Sequence, residues 1–300
     1  GDERRRFADL FKHFIDGLDW TDSGPRLKKG YVEIVKKSRT DVGAALQAVD
    51  LEKRLATLQR EGAVKADVPK NVELANNLTT MIARGDEITS HGLFEAANGV
   101  FGGSTARGTF TPKDAYDALE LAVNMHIAAN PDKFDASVNL KGAKEAIAEL
   151  ESILDRIPTQ TRRTQEMEEF QQFSTPPHYA FAAAWLAAAD KNDTILEPSA
   201  GTGSLIAPFH PLMATPTSPK AIFVNEISER RAEYVMALNP TQVFTEDAEQ
   251  LDNILPDDVK PTVIVMNPPF SRAGDRFGNK KITATGSRHI EAALARLEPG

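Results

Sequence analysis

Two short segments combine residue types that suit the binding of a small cofactor and of a planar amine. Residues 197–203, Glu-Pro-Ser-Ala-Gly-Thr-Gly, follow the apolar run at 194–196. This pattern predicts a strand that ends in a carboxylate and a tight glycine turn, with a helix beginning after the turn. Residues 267–270, Asn-Pro-Pro-Phe, close a second apolar run at 262–266. Because the carboxyl ends of parallel strands meet at one edge of a sheet, we expect both segments at that edge.

The glycine turn favours a nucleoside cofactor. Gly201 and Gly203 allow the backbone to approach a ligand where a Cβ would clash, although ordinary turns between a strand and a helix contain such pairs as well. Glu226, which ends the next apolar run, adds a carboxylate that can accept hydrogen bonds from both hydroxyls of a ribose. Ile206 stands where a dinucleotide motif has its third glycine, so a cofactor without a pyrophosphate fits better. Asp247 could accept from an adenine amine or cap the following helix, and we favour the cap.

Residues 267–270 have the composition of a site that grips a planar NH2 group. Two prolines fix the backbone at the end of a strand and withhold their N–H groups. The amide oxygen of Asn267 and the carbonyl of Pro268 can then converge on one donor, while Phe270 stacks on the ring that bears it. Such a site positions an amine for attack without a metal or a strong base. In isolation the segment could equally be a proline-rich turn with Phe270 in the core.

Composition excludes several other classes of site. The 300 residues hold no cysteine, which rules out disulfides, thiol catalysis and cysteine-ligated metals. The six histidines are scattered without a His-x-x-x-His pair, so we predict no metal site. The formal charge of −8 disfavours broad non-specific binding to a phosphate backbone. No apolar run approaches the roughly 18 residues that a membrane span needs.

Hydrophobic periodicity predicts an all-helical domain at 1–157, a polar linker at 158–170 and an α/β domain at 171–300. Helical stripes run through Leu18 and again from Asn71 to Ile82, and Thr111-Pro112 marks a further helix start. Residues 99–108 are expected to form a glycine-rich loop. After the linker, short apolar runs alternate with helical segments, which indicates a Rossmann-like parallel sheet.

In this order, the segment 197–203, Glu226, Asp247 and the segment 267–270 resemble the motifs of S-adenosylmethionine-dependent N6-adenine DNA methyltransferases. Residues 173–176, Phe-Ser-Thr-Pro, resemble a further cofactor motif of this family, in the arrangement that precedes the glycine turn. The sequence around these motifs is similar to the methyltransferase modules of phage- and plasmid-borne, DarB-like antirestriction proteins that are fused to a strawberry-notch-like helicase. The resemblance covers residues 171–300 and implies a cytoplasmic enzyme of a bacterial host.

The resemblance assigns roles to individual residues. It implies transfer of a methyl group to the N6 amine of an adenine that is flipped out or single-stranded. The catalytic segment would comprise Asn267, Pro268, Pro269 and Phe270. The cofactor would contact Phe173, Thr175, Pro176, Glu197, Pro198, Ala200, Gly201, Gly203, Glu226, Asp247, Ala248 and Asn267.

A basic, glycine-containing segment at 271–288 follows the amine-binding motif in an otherwise acidic chain. We expect a solvated mobile loop in the free protein that becomes, on the bound strand, an arm contacting DNA phosphates through Arg272, Arg276, Lys280 and Lys281. The family sheet continues with further strands after the helix expected at 288–297, and this chain ends before the next one. We therefore expect a fragment whose open sheet edge is covered by the rest of a larger polypeptide or by a helicase or recognition subunit.

Two other functions remain open from the sequence. Asn-Pro-Pro-aromatic segments also suit methylation of another planar amine or amide, such as a protein glutamine or an RNA guanine. A cofactor-binding structural module of a phage or plasmid defence complex would keep the same pocket without turnover. The Thr175-Pro176 motif and the basic segment favour DNA over these alternatives.

Overall fold

In a computed structural model of the chain, the described residues are 18–21, 24–27, 68–159, 174–268, 275–277, 280–282 and 285–298. The chain divides into two compact units, Gly1–Val68 and Pro69–Gly300. In the first unit, strands β1 (Leu18–Thr21) and β2 (Gly24–Leu27) pair antiparallel. The helical stripe predicted through Leu18 is wrong at that residue, because Trp20 and Thr21 favour an extended chain and Gly24-Pro25 disfavours a helix.

The second unit begins with a layer of helices whose boundaries follow local sequence signals. Thr111 caps the third of them in a capping box with Asp114, and Pro112 takes the first helical position, as predicted. The stripe predicted at 71–82 forms the buried face of the first helix, with Leu74 and Leu78 inaccessible to solvent. The layer comprises α1 (Lys70–Arg84), α2 (Ser90–Phe101), α3 (Pro112–Ala128), α4 (Pro131–Phe134), α5 (Leu140–Asp155) and α6 (Pro177–Ala187).

The glycine-rich loop predicted at 99–108 is shorter in the structure. Helix α2 continues through Gly99 to Phe101 and ends at Gly102, whose φ of 72° is left-handed. A short 3-10 helix, Thr105–Arg107, follows. Helix α2 therefore stops at the glycine that adopts a positive φ, whereas Gly99 lies inside the helix.

Four parallel strands form the sheet of the second unit, which confirms the predicted α/β class. They are β3 (Thr194–Glu197), β4 (Ala221–Asn225), β5 (Gln242–Phe244) and β6 (Val263–Ile264), in the order β5-β4-β3-β6. The chain order reverses between β3 and β6, which is where ligands bind in doubly wound sheets. Strand β6 is shorter than the predicted 262–266. Helix α7 (Glu229–Ala237) joins β4 to β5, and helix α8 (Leu251–Ile254) precedes β6.

The connection after β3 differs from the prediction. Instead of an α-helix beginning after the glycine turn, residues 198–206 form turns that lead into a short 3-10 helix, Ala207–Phe209. Gly201 and Gly203 have positive φ angles, and Pro208 lacks the N–H that a longer helix would need. Helix α3 packs against this 3-10 helix, so a helix from the amino-terminal layer lies next to the glycine turn.

One hydrophobic core connects the helical layer to the sheet. It includes Leu78 of α1, Leu121 of α3, Phe181 of α6 and Ile195 of β3, all fully buried. A smaller cluster around Leu196 covers the other face of the sheet. Residues 160–170 of the predicted linker lie outside the described residues, and the division into two domains on either side of it stays a prediction.

Two further strands and a helix complete the described chain. Strands β7 (Asp275–Phe277) and β8 (Lys280–Ile282) pair antiparallel within the segment that we expected to be a loop. Helix α9 runs over Thr285–Arg296. None of the described helices is long and apolar enough to cross a membrane.

The shared core predicts that the helical layer and the sheet unfold together. In a Trp20→Phe background, the fluorescence of Trp185 reports on α6. Ile195→Ala removes a fully buried side chain of β3 and should lower the free energy of unfolding by about 2–5 kcal/mol. Denaturant titrations should show the same shift by Trp185 fluorescence and by far-ultraviolet circular dichroism. The exposed Leu294→Ala serves as control. An unchanged Trp185 transition would contradict a shared core.

Candidate active site

The side chain of Asn225, at the end of β4, forms hydrogen bonds that connect the ends of three strands. Its side chain is buried, and its Nδ2 donates to the carbonyls of Pro198 and Glu246, each at 2.9 Å. Its Oδ1 accepts from the Glu246 N–H, also at 2.9 Å. Because Pro198 follows β3 and Glu246 follows β5, one amide fixes the turns that leave three neighbouring strands.

The carboxylate of Glu226 holds the glycine turn. Its Oε2 accepts from the Gly201 N–H at 2.7 Å, and its Oε1 accepts from the Ser228 N–H at 3.0 Å. A carboxylate oxygen has two acceptor positions, so Glu226 keeps the capacity to receive the hydroxyls of a ribose. The sequence predicted the ribose contact, whereas the structure adds the bond to Gly201.

The two glycines of the turn adopt backbone conformations that side chains disfavour. Gly201 has a φ of 62° and Gly203 a φ of 89°. A Cβ on Gly201 would lie 2.5 Å from Nη2 of Arg231, and one on Gly203 would overlap with Leu238. We predicted a close approach to the backbone at these glycines. In the structure the side chains of Arg231 and Leu238 make this approach. Close approach of a ligand stays a prediction.

Glu197 is a buried carboxyl group with an incomplete set of partners. It has no solvent exposure, and its Oε1 accepts from the Ser199 N–H at 3.1 Å. Its Oε2 has no hydrogen-bond partner among the described residues. Burial, together with the nearby charge of Glu226, raises the pKa of Glu197 well above its ordinary value despite the bond from Ser199. A cationic donor would both satisfy Oε2 and favour the ionised form.

A hydrogen bond joins the motif before α6 to the motif after β6. Nδ2 of Asn267 donates to Oγ1 of Thr175 at 3.0 Å. This bond fixes the amide so that its Oδ1 is the atom left to accept from a ligand. Pro176, next to Thr175, occupies the position before the first residue of α6, and Pro268 continues the chain from Asn267. Two segments that are 92 residues apart therefore meet at the end of β6.

Asp247 takes the role that we favoured from the sequence. It precedes the 3-10 helix Ala248–Gln250, and its Oδ1 accepts from the Glu249 N–H at 3.0 Å. The cap is confirmed, and Ala248 is buried beneath it. Because Asp247 is exposed and its second oxygen has further acceptor positions, a contact with an adenine amine stays a prediction.

Sequence reasoning missed the polar face of α3. Glu120 accepts from Oγ of Ser174 at 2.5 Å and from Oγ1 of Thr202 at 3.1 Å. Asn124 donates to the carbonyl of Thr202 at 2.9 Å. Burial and the charge of Asp117 raise the pKa of Glu120, while Ser174 and nearby cations lower it. The sequence does contain a pattern that indicates this face, because polar residues recur at the spacing of one side of a helix: Lys113, Asp117, Glu120 and Asn124.

Buried ion pairs fix α7 against the same face of α3. Nζ of Lys113 lies 2.8 Å from Asp117, which also receives Nη2 of Arg230 at 2.8 Å. Nη1 of Arg230 donates to Asp114 at 3.1 Å. Together these contacts hold the first turn of α7 in place, and the next residue of that helix, Arg231, reaches the glycine turn.

Some residues of the predicted site lie outside the described part of the chain. Phe173, Pro269, Phe270 and Arg272 lie outside the described residues, as do the side chains of Arg276, Lys280 and Lys281. Where side chains are described, no group of three or more histidine, aspartate or glutamate residues converges on a metal position. Apart from Phe173, the residues predicted to hold the cofactor lie among the described residues, with Asn267 bonded to Thr175, and their contacts to cofactor, base and DNA stay predictions.

Comparison with known proteins adds little. No protein-family model matches the chain, and no curated protein matches it. Among solved structures it is similar to a candidate class I S-adenosylmethionine-dependent methyltransferase from Listeria monocytogenes. The two chains share 15% sequence identity at a TM-score of 0.37, over 78% of this chain and 71% of the other. A likeness this distant identifies no activity, so function rests on the residues themselves.

The raised pKa of Glu197 predicts a stability cost in the ligand-free protein. The folded state binds the proton of Glu197 more tightly than the unfolded chain does. The protonated side chain therefore contributes its full stabilisation of the folded state at pH values below the ordinary pKa of 4.5. This stabilisation is lost as the pH rises through the raised pKa. Glu197→Gln, which cannot ionise, should flatten this part of the profile and leave the ligand-free protein more stable at neutral pH.

Thermal unfolding across the acid to weakly alkaline range tests this prediction, with the exposed Glu145→Gln as the matched control. The control should follow the wild-type profile. A Glu197→Gln profile that also follows the wild type would show that Glu197 does not carry the cost.

Proposed function

We propose that this protein transfers a methyl group from S-adenosylmethionine to the N6 amine of adenine in DNA. The observation that carries the proposal is the bond from Asn267 to Thr175. It engages Nδ2 of the Asn267 amide and so assigns Oδ1 the acceptor role, at the same sheet edge as Glu197, Gly201 and Glu226. A nucleoside site and an amine-binding site then lie on neighbouring strands, as methyl transfer between two ligands requires.

The described residues fit S-adenosylmethionine in three respects. The unpartnered Oε2 of Glu197 suits the ammonium group of its methionine end. Glu226 retains acceptor positions for the ribose hydroxyls, and Asp247 retains them for the adenine amine. Thr175 and Pro176 would flank the methionine end, as the resemblance implies. When bound, the cofactor supplies an electrophilic methyl group on a sulfonium.

On the acceptor side, the chain's own task is to hold the amine. Oδ1 of Asn267 and the carbonyl of Pro268 would accept the two N–H groups of an exocyclic amine. Both acceptors draw electron density onto the nitrogen, which makes it a better nucleophile along the line of attack. Phe270 would stack on the base, and the proton lost from the amine would pass to water. A base inside a duplex cannot reach this edge, so the adenine would be flipped out or single-stranded.

The choice of DNA as substrate rests on the sequence. The basic segment at 271–288 follows the amine-binding motif directly, in a chain with a formal charge of −8. A localised basic arm suits contacts to phosphates near one reacting base better than a general electrostatic attraction to nucleic acid. Protein glutamine and RNA guanine present similar planar groups and are the substrates to be compared with DNA.

We also propose that a further segment of a larger polypeptide, or a helicase or recognition subunit, pairs with the sheet. Among the described strands, β6 has β3 as its one neighbour, so its other edge presents main-chain hydrogen-bonding groups. An open edge of this kind is unfavourable unless another strand or subunit covers it. By the resemblance, the whole would be an antirestriction protein of a phage or plasmid.

Methyl transfer to three substrate classes tests the proposal. The protein is incubated with tritiated S-adenosylmethionine and with DNA, RNA or a glutamine-containing protein extract, and modified nucleosides are identified by mass spectrometry. The proposal expects label in DNA as N6-methyladenine. Label confined to RNA or protein would overturn the substrate, and cofactor binding without transfer to any substrate would favour a structural module.

Asn267→Ala separates the amine-binding role from cofactor binding. Removing one positioned polar group should lower the rate of methyl transfer by about 100- to 1000-fold, while the dissociation constant for S-adenosylmethionine changes little. The control is Asn253→Ala, an exposed asparagine whose amide contacts only Asp252 among the described residues. Equal loss of binding and of transfer in Asn267→Ala would show that the assigned roles are wrong.

A further inference from the structure

Arg231 is a buried cation that the roles assigned so far do not use. It lies in the first turn of α7, and 4% of its surface is exposed. Its Nη2 donates to Oγ of Ser174 at 3.2 Å, and its Nε has no partner among the described residues. Its neighbour Arg230 forms ion pairs with Asp114 and Asp117. No carboxylate of the described residues lies within ion-pair distance of Arg231.

Among the described residues, the charge of Arg231 is only weakly compensated. Glu120 is the carboxyl group whose pKa responds to it, and both groups contact Ser174. However, burial and Asp117 raise the pKa of Glu120 more than its hydrogen bond to Ser174 and the charge of Arg231 lower it. A buried guanidinium without a close anion is costly, and an anionic ligand group would relieve that cost.

The location of Arg231 indicates which anion this is. Its guanidinium lies against Gly201, at the point where a Cβ would come within 2.5 Å of Nη2. Gly201 also donates to Glu226, and the turn begins at Glu197, whose buried Oε2 lacks a partner. Two buried groups at the glycine turn therefore lack partners among the described residues: Oε2 of Glu197 would accept from a cation, and Nε of Arg231 would donate to an anion. An α-amino acid carries both charges on one carbon.

We propose that Arg231 binds the carboxylate of the amino-acid end of the cofactor, opposite the ammonium that Glu197 receives. This inference rests on the proposed function, because it assigns a residue to the same cofactor. Ser174 and Glu120 act as positioning residues, since Ser174 donates to Glu120 and accepts from Arg231. The helical layer thereby contributes to cofactor recognition through α3.

Comparison of two ligands isolates the carboxylate. Dissociation constants are measured by calorimetry for S-adenosylmethionine and for decarboxylated S-adenosylmethionine, with wild-type protein, Arg231→Lys and Arg231→Ala. The wild type should bind the decarboxylated ligand about 10- to 150-fold more weakly, the range that hydrogen bonds to a charged group contribute. Arg231→Ala should bind both ligands with similar, weak affinity, and Arg231→Lys should keep part of the discrimination.

The outcomes distinguish this inference from the proposed function. Absence of S-adenosylmethionine binding by the folded wild type would overturn the proposed function. Equal affinity of the wild type for the two ligands would overturn the role of Arg231 even if no variant folds. Weaker binding of both ligands by Arg231→Ala with the wild-type ratio preserved would mean that Arg231 is structural, and would overturn it too. The exposed Arg84→Ala is the matched control and should keep the wild-type ratio.

Discussion

The parallel pairing of β3 with β4 on one side and β6 on the other is the constraint on which the candidate site depends. Ile195 and Leu196 point to opposite faces of the sheet and are both fully buried, so β3 is packed into the core on both of its faces. With the register fixed, Glu197, Glu226 and Asn267 emerge at one edge. Asn225 then fastens the turns that leave β3, β4 and β5.

This edge concentrates polar groups whose hydrogen-bonding needs are not met within the described part of the protein. Oε2 of Glu197 and Nε of Arg231 are buried without partners, and they carry opposite formal charges when ionised. Each costs free energy in the ligand-free state. A zwitterionic ligand would satisfy both groups at once. The structure thus suggests a site that is less stable empty than occupied, and the pKa shift of Glu197 is one sign of it.

Much of the fold could be predicted because local signals agreed with the tertiary structure. The capping box at Thr111 and the stripe through Leu74 and Leu78 depend on neighbouring residues alone, and both were read correctly. The expected helix after Gly203 failed because positive φ angles at the two glycines and packing against α3 outweighed the usual pattern of a glycine turn. After Gly203, tertiary contacts determined the backbone conformation.

The candidate site was predictable only where motifs are contiguous. The glycine turn after Glu197 together with Glu226 indicated a nucleoside pocket, Asn267 indicated an amine-binding site, and the cap at Asp247 followed from local chemistry. The contacts of Glu120 with Ser174 and Thr202 span 54 and 82 residues, so no local pattern connects them. The spacing of the polar residues on α3 was visible in the sequence. Tertiary packing determines which element this polar face contacts.

We propose that the carboxyl edge of this sheet binds S-adenosylmethionine beside an asparagine that binds the target amine. Calorimetric titration of the folded protein with S-adenosylmethionine tests it most directly. We expect saturable binding at one site, which S-adenosylhomocysteine abolishes by competition. A protein that is folded by circular dichroism and binds neither compound would contradict it.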